Sequence, residues 1–223
     1  AVVSTLAAIQ TVLGIDSSWT GLENTSWTNN ANWSVAPYAG FSAGETATFS
    51  GAGNGNTVLD LTGLASVRNL SFETAGAAAY TLGAGGAGGQ TLVLENGARL
   101  DFLPDLASAQ IFNAVLQLGV DRSGSTYVLS NQTSSVVTFA GGIAGGGTGG
   151  SAGAKNVIVA GNLLVSGVIA NGGATSVPLT VRKGGTVTLG AANTFSGNIT
   201  VSDGILVLKN SGALGSGSKS VTI

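Results

Sequence analysis

Short apolar runs alternating with polar residues dominate the chain, and each run is bounded by Gly, Asn, Asp or Ser. Thr46-Ala47-Thr48-Phe49, Thr57-Val58-Leu59, Thr91-Leu92-Val93-Leu94, Tyr127-Val128-Leu129, Val136-Val137-Thr138-Phe139 and Asn156-Val157-Ile158-Val159 all have this form. A period of two bounded by turn residues predicts strands. No long stretch keeps a 3.6-residue period. Asp105–Leu118 is the best helix candidate, although its Ile111, Val115 and Leu116 suit a strand nearly as well.

The last fifty residues add a longer period. Leu179-Thr180-Val181 recurs as Ile199-Thr200-Val201 and as Val221-Thr222-Ile223. A second series, Thr186-Val187-Thr188-Leu189 and Ile205-Leu206-Val207-Leu208, keeps phase with the first. In each triplet the apolar residues flank Thr, so they face one way and Thr the other. Two series in phase at about twenty residues predict a solenoid. One such coil cannot bury its own inner face, whereas stacked coils share a continuous core. The fold expected is all-β: a right-handed parallel β-helix over 51–223, preceded by an arm and an aromatic-rich cap region over 1–50.

Composition narrows the chemistry. Of 223 residues, 37 are Gly, and none is Cys, His or Met. Thiolate and imidazole catalysis and their metal sites are thereby excluded. Eight basic residues against ten acidic ones, without clustering, argue against nucleic acid. No run is long and apolar enough for a membrane-spanning helix, so membrane insertion is not expected. No cofactor or metal is implied, and a structural or binding role is expected rather than an enzyme.

Three clusters invite closer reading. Trp19, Trp27 and Trp33 lie close together, near Tyr38 and Phe41. They serve either as glycan-stacking rings or as a hydrophobic plug over the first coil, and the plug is favoured because large aromatics dominate core energetics. Asp101, Asp105 and Asp121, near Arg99 and Arg122, could form a carboxylate pair of the polysaccharide-cleaving kind, but solvated turn positions suit them better. The glycine-rich stretches 83–89 and 145–150 lack the Lys-Ser/Thr of a phosphate loop and read as plain loops.

The segment Gly185–Leu208 carries a strand, then Ala192-Asn193-Thr194-Phe195-Ser196-Gly197, then Ile199-Thr200-Val201, then Gly204-Ile205-Leu206-Val207-Leu208, followed by Asn210-Ser211-Gly212-Ala213-Leu214-Gly215. This resembles the autotransporter-associated β-strand repeat. Upstream, Trp19-Thr20-Gly21, Trp27, Asn32-Trp33 and Gly44-Glu45-Thr46-Ala47-Thr48-Phe49-Ser50-Gly51 resemble sequences that often precede such repeats. The resemblance implies a secreted or surface-displayed β-helix on the bacterial outer-membrane exterior. It also implies a membrane β-barrel further on, and none is present before Ile223. A released or truncated passenger, or a standalone protein using the repeat, is therefore expected.

The functional expectation follows from the two ends. The sequence opens on Ala1 with no Met and no basic leader, as a mature N-terminus would. Val2, Val3, Leu6, Ile9, Val12 and Leu13 make that arm apolar. Val221, Thr222 and Ile223 form an apolar edge strand, which templates another chain. Head-to-tail association of copies would propagate into a filament. The alternative is an adhesin or glycan-binding passenger.

Overall fold

A computed structural model describes residues 15–223 as a parallel β-solenoid. Its main ladder runs through Ser17–Ser18, Thr46–Phe49, Val67–Phe72, Thr91–Phe102, Ser125–Asn131, Lys155–Ala160, Leu179–Arg182, Ile199–Val201 and Val221–Thr222, in that order. A second ladder runs from Val58–Leu59 through Thr81–Leu82, Ile111–Phe112, Val137–Phe139, Leu163–Val165 and Gly185–Leu189 to Gly204–Leu208. A third face, Val115–Leu118, Ile143–Gly145 and Ile169–Ala170, branches from the first half of Thr91–Phe102. Every strand-to-strand pairing is parallel, so each coil hands its backbone groups to the next.

The expected registers hold in the last coils. Leu179 pairs with Ile199 and Ile199 with Val221, while Val187 pairs with Leu206 and Leu189 with Leu208. Residues 179, 181, 199 and 201 are buried and their Thr partners are not, as the alternation demands. Two expectations differ from what is found. The period is not constant: Leu100 pairs with Leu129 and Leu129 with Val159, so the middle windings are longer than the final ones. The stretch Asp105–Leu118 forms the strands Ile111–Phe112 and Val115–Leu118, not a helix; Phe112, Leu116 and Leu118 point inward at strand spacing. The main ladder also crosses residue 50 without a break, because Ser17–Ser18 and Thr46–Phe49 already belong to it.

The core changes character along the rod. Phe49, Phe72 and Phe102 are stacked at centroid separations of 4.7 and 4.9 Å, one per coil. Phe112 and Phe139 stack at 4.8 Å on the second ladder. These separations match the spacing of adjacent strands, so in-register pairing itself brings like rings together. Beyond Phe139 the apolar interior is Val, Leu, Ile and Ala, with Phe195 as its one aromatic ring.

Polar residues at the turns tie coils together. In the Ala-Asn-Thr-Phe-Ser turn, the Asn193 carbonyl accepts from Ile169 N at 2.7 Å and its amide donates to Ala213 O at 2.6 Å. One buried side chain thus joins the coil before to the coil after, and Phe195 fills the core beside it. Glu45, 1 % exposed, accepts from Gly40 N, Phe41 N and Ile15 N and so holds the loop preceding its own strand.

Candidate functional site

The three Trp residues form the plug. Trp19, Trp27 and Trp33 are buried, with Trp27 and Trp33 4.9 Å apart and Trp19 and Trp33 5.3 Å apart, edge to face. Each indole N–H donates to a backbone carbonyl, of Asn56, Ala39 and Trp27 respectively. None presents a ring face to solvent on which a sugar could stack. Phe41 does: it is 59 % exposed and packs edge to face on Tyr38. It borders a groove of about 350 Å³ together with Arg68, Glu95, Asn96 and Val120.

The acidic residues are not brought together. Arg99 holds Asp101 at 2.9 Å on the outer face of the same strand. Asp105 is exposed on a turn. Arg122 donates to the carbonyls of Gly149 and Gly150. Asp121 lies elsewhere, and its partners were not foreseen from the sequence.

Those partners form a cluster inside the solenoid wall. Lys155 starts the strand Lys155–Ala160 at the same inward phase as Val157 and Val159, and its side chain is fully buried. Its Nζ donates to Asn96 Oδ1 at 2.9 Å and lies 3.5 Å from the Tyr127 hydroxyl and 4.0 Å from Asp121 Oδ1. Tyr127 OH donates to the same Asn96 oxygen at 2.9 Å. The Asn96 amide nitrogen donates to Asp121 Oδ1 at 3.3 Å, and Ser123 N donates to that oxygen at 2.8 Å. Asn96 therefore has two donors on its carbonyl side and an acceptor on its amide side, which fixes its orientation.

Local sequence explains how the cluster is built. Between Val67↔Leu94 and Asn69↔Arg99 the register shifts, and the extra residues of the longer strand carry Asn96 out of the ladder and over the Lys155 head. Gly119 (φ +95°) leaves the room: a Cβ there would lie within 2.8 Å of Lys155 Nζ, Asn96 Oδ1 and Tyr127 OH. Burial lowers the Lys155 pKa, opposed by the Asp121 charge. Hydrogen bonds from the Ser123 backbone and then Asn96 lower that of Asp121. Burial raises the Tyr127 pKa to about 12. The signal in the sequence was a lysine at the inward phase of an otherwise apolar strand.

At the far end lies an apolar rim. Ile205 is 58 % exposed and Ile223 98 %, and Leu208 and Val221 are exposed beside them. With Val201, Leu206 and Leu214 they line an open hollow of about 440 Å³. The expected assembly residues Val221, Thr222 and Ile223 all lie on this exposed rim. Val2, Val3, Leu6, Ile9, Val12 and Leu13 lie outside the described residues.

Among the described residues, no group of three acidic residues is placed to hold a metal ion, and no helix is long and apolar enough to cross a membrane. Comparison with protein-family models, curated proteins and solved structures finds no match to this chain.

Proposed function

We propose that this protein is a structural β-solenoid whose rim takes the opposite end of another copy, building an extracellular or cell-surface filament. The single observation that carries this reading is the contrast within one ladder. Val187 and Leu189 are buried in the core, whereas their register partners Leu206 and Leu208 in the last coil are half-buried and exposed. A contiguous apolar rim bordered by unpaired strand groups recruits another strand. The apolar sequence 1–15 of the neighbouring copy is the partner in this reading, and heterologous contact propagates rather than closes. The extracellular setting rests on the resemblance of Gly185–Gly215 to surface-displayed repeats.

Electron microscopy and light scattering of the purified chain test it. Concentration-dependent end-to-end fibres are expected, lost in Ile205→Lys/Val221→Asp and in a chain lacking residues 1–14. Single monodisperse particles at every salt and protein concentration would overturn it. The Phe41 groove favours a second reading, a glycan-binding passenger, since it sets an exposed ring beside Arg68 and Glu95. Glycan-array binding that disappears in Phe41→Ala, without fibres, would favour that reading.

A further inference from the structure

The Lys155 cluster is more than a buried polar contact. A lysine amine, a side-chain carboxamide and a carboxylate meet in one place. Lys155 Nζ sits 2.9 Å from the Asn96 carbonyl oxygen. Tyr127 donates to that oxygen, which polarises the carbonyl and would support the negative charge of a tetrahedral intermediate. Asp121 Oδ1 accepts from the Asn96 amide nitrogen at 3.3 Å and lies 4.0 Å from Lys155 Nζ, so one oxygen contacts the leaving group and lies near the nucleophile. Holding the amine beside the carboxamide replaces a bimolecular encounter with an intramolecular one.

We propose that Lys155 and Asn96 condense into an intramolecular isopeptide bond, with Asp121 carrying the proton. The neutral amine attacks Asn96 Cγ through its lone pair. The C–N bond forms and the carbonyl electrons move to Oδ1 beneath the Tyr127 hydroxyl. Asp121 takes the proton from the new nitrogen and delivers it to Nδ2. Collapse reforms the carbonyl and breaks the Cγ–Nδ2 bond, expelling ammonia. A neutral amine and a carboxamide enter and a secondary amide and ammonia leave, so atoms, charge and oxidation states balance with no co-reactant. Burial of Lys155 favours its neutral, nucleophilic form.

The architecture gives the bond a purpose. Asn96, Tyr127 and Lys155 belong to three successive windings, so the linkage clamps the first to the third across 59 residues of sequence. A solenoid whose coils touch only their neighbours gains a contact that skips one. The inference is independent of the filament reading and concerns the single chain.

Intact mass spectrometry of the folded wild-type protein, after prolonged incubation at neutral pH, is the test. The expected mass lies below that of the sequence by one ammonia, about 17 Da, and fragmentation finds the Asn96 and Lys155 peptides joined. Asp121→Ala and Lys155→Arg are expected to restore the full mass. Asn96 precedes Gly97, so a succinimide would lose the same ammonia. A loss that persists in Lys155→Arg identifies that succinimide and overturns the proposal. Full mass in wild-type protein whose circular dichroism shows the β fold overturns it equally, whatever the variants do.

Discussion

The two halves of the rod solve the same problem with different materials. Up to about Phe139, winding length varies and the core is a column of stacked rings plugged by three indoles. Beyond it, windings shorten and the core is aliphatic. The aliphatic half holds a small apolar cavity of about 10 Å³ among Ile143, Val159, Val165, Val187 and their neighbours. The boundary is a polar one. Phe102 pairs with Asn131, which ends the ring column, and the Asn131 amide donates to Ser135 O and Asn162 O at 2.7 Å. Gly161 (φ +91°) lies so close that a Cβ would fall 1.8 Å from Asn131 O.

The sharpest way to break this comparison is to cut one residue from each column. Phe72, between Phe49 and Phe102, is expected to cost about 4 kcal/mol as Phe72→Ala, and Val187→Ala about 2 kcal/mol. Urea denaturation followed by both tryptophan fluorescence and circular dichroism measures the two. All three Trp residues report the first coils, so Phe72→Ala is expected to move the fluorescence transition at least as far as the dichroism one. Equal losses for the two substitutions would erase the distinction between the halves.

Alkali is expected to act on the ring-lined half next. Burial raises the pKa of Tyr80 and of Tyr127 to about 12. In the unfolded chain these phenols release their protons near 10, so below that pH their stabilising effect is fully present. Stability should therefore fall between pH 10 and about 12, as the unfolded state loses protons the folded state keeps. Lys155 acts in the reverse direction, because its lowered pKa makes rising pH favour the folded form as its charge is removed. Melting temperature against pH for wild type and for Tyr80→Phe checks the sign: the variant should lose less over that window.

Filling the aliphatic cavity is a smaller effect. Val187→Ile is expected to add about 0.5–1 kcal/mol, read as a higher urea midpoint, whereas a loss would show that this half is already close-packed. The smallest effect is expected at the surface. The Arg99–Asp101 pair is half-exposed, and Arg99→Ala should change stability by no more than about 0.5 kcal/mol, diminishing further with salt.

The same contrast governs how much could be read from the sequence. The final coils follow one another without insertion, so Leu179, Ile199 and Val221 announce their register by spacing alone. In the first half, loops such as 83–90 and 103–110 lengthen individual windings, and the pairing of Leu82 with Phe112 leaves no constant period to find. The Trp plug was legible because three large aromatics have few other places to go. The Lys155 cluster was not, because Asn96, Asp121 and Lys155 converge only through a register shift and a glycine gap, neither of which leaves a motif. Lys155 itself carried a faint signal in its inward phase beside Val157 and Val159.

Gly185 and Gly204 pair in register, and so does each residue from there to Leu189 and Leu208. Excising or duplicating the segment 185–203 would return the backbone to the position it left. A gene encoding such a molecule can therefore change the reach of its product by copying or dropping under sixty base pairs, with no new interior to invent.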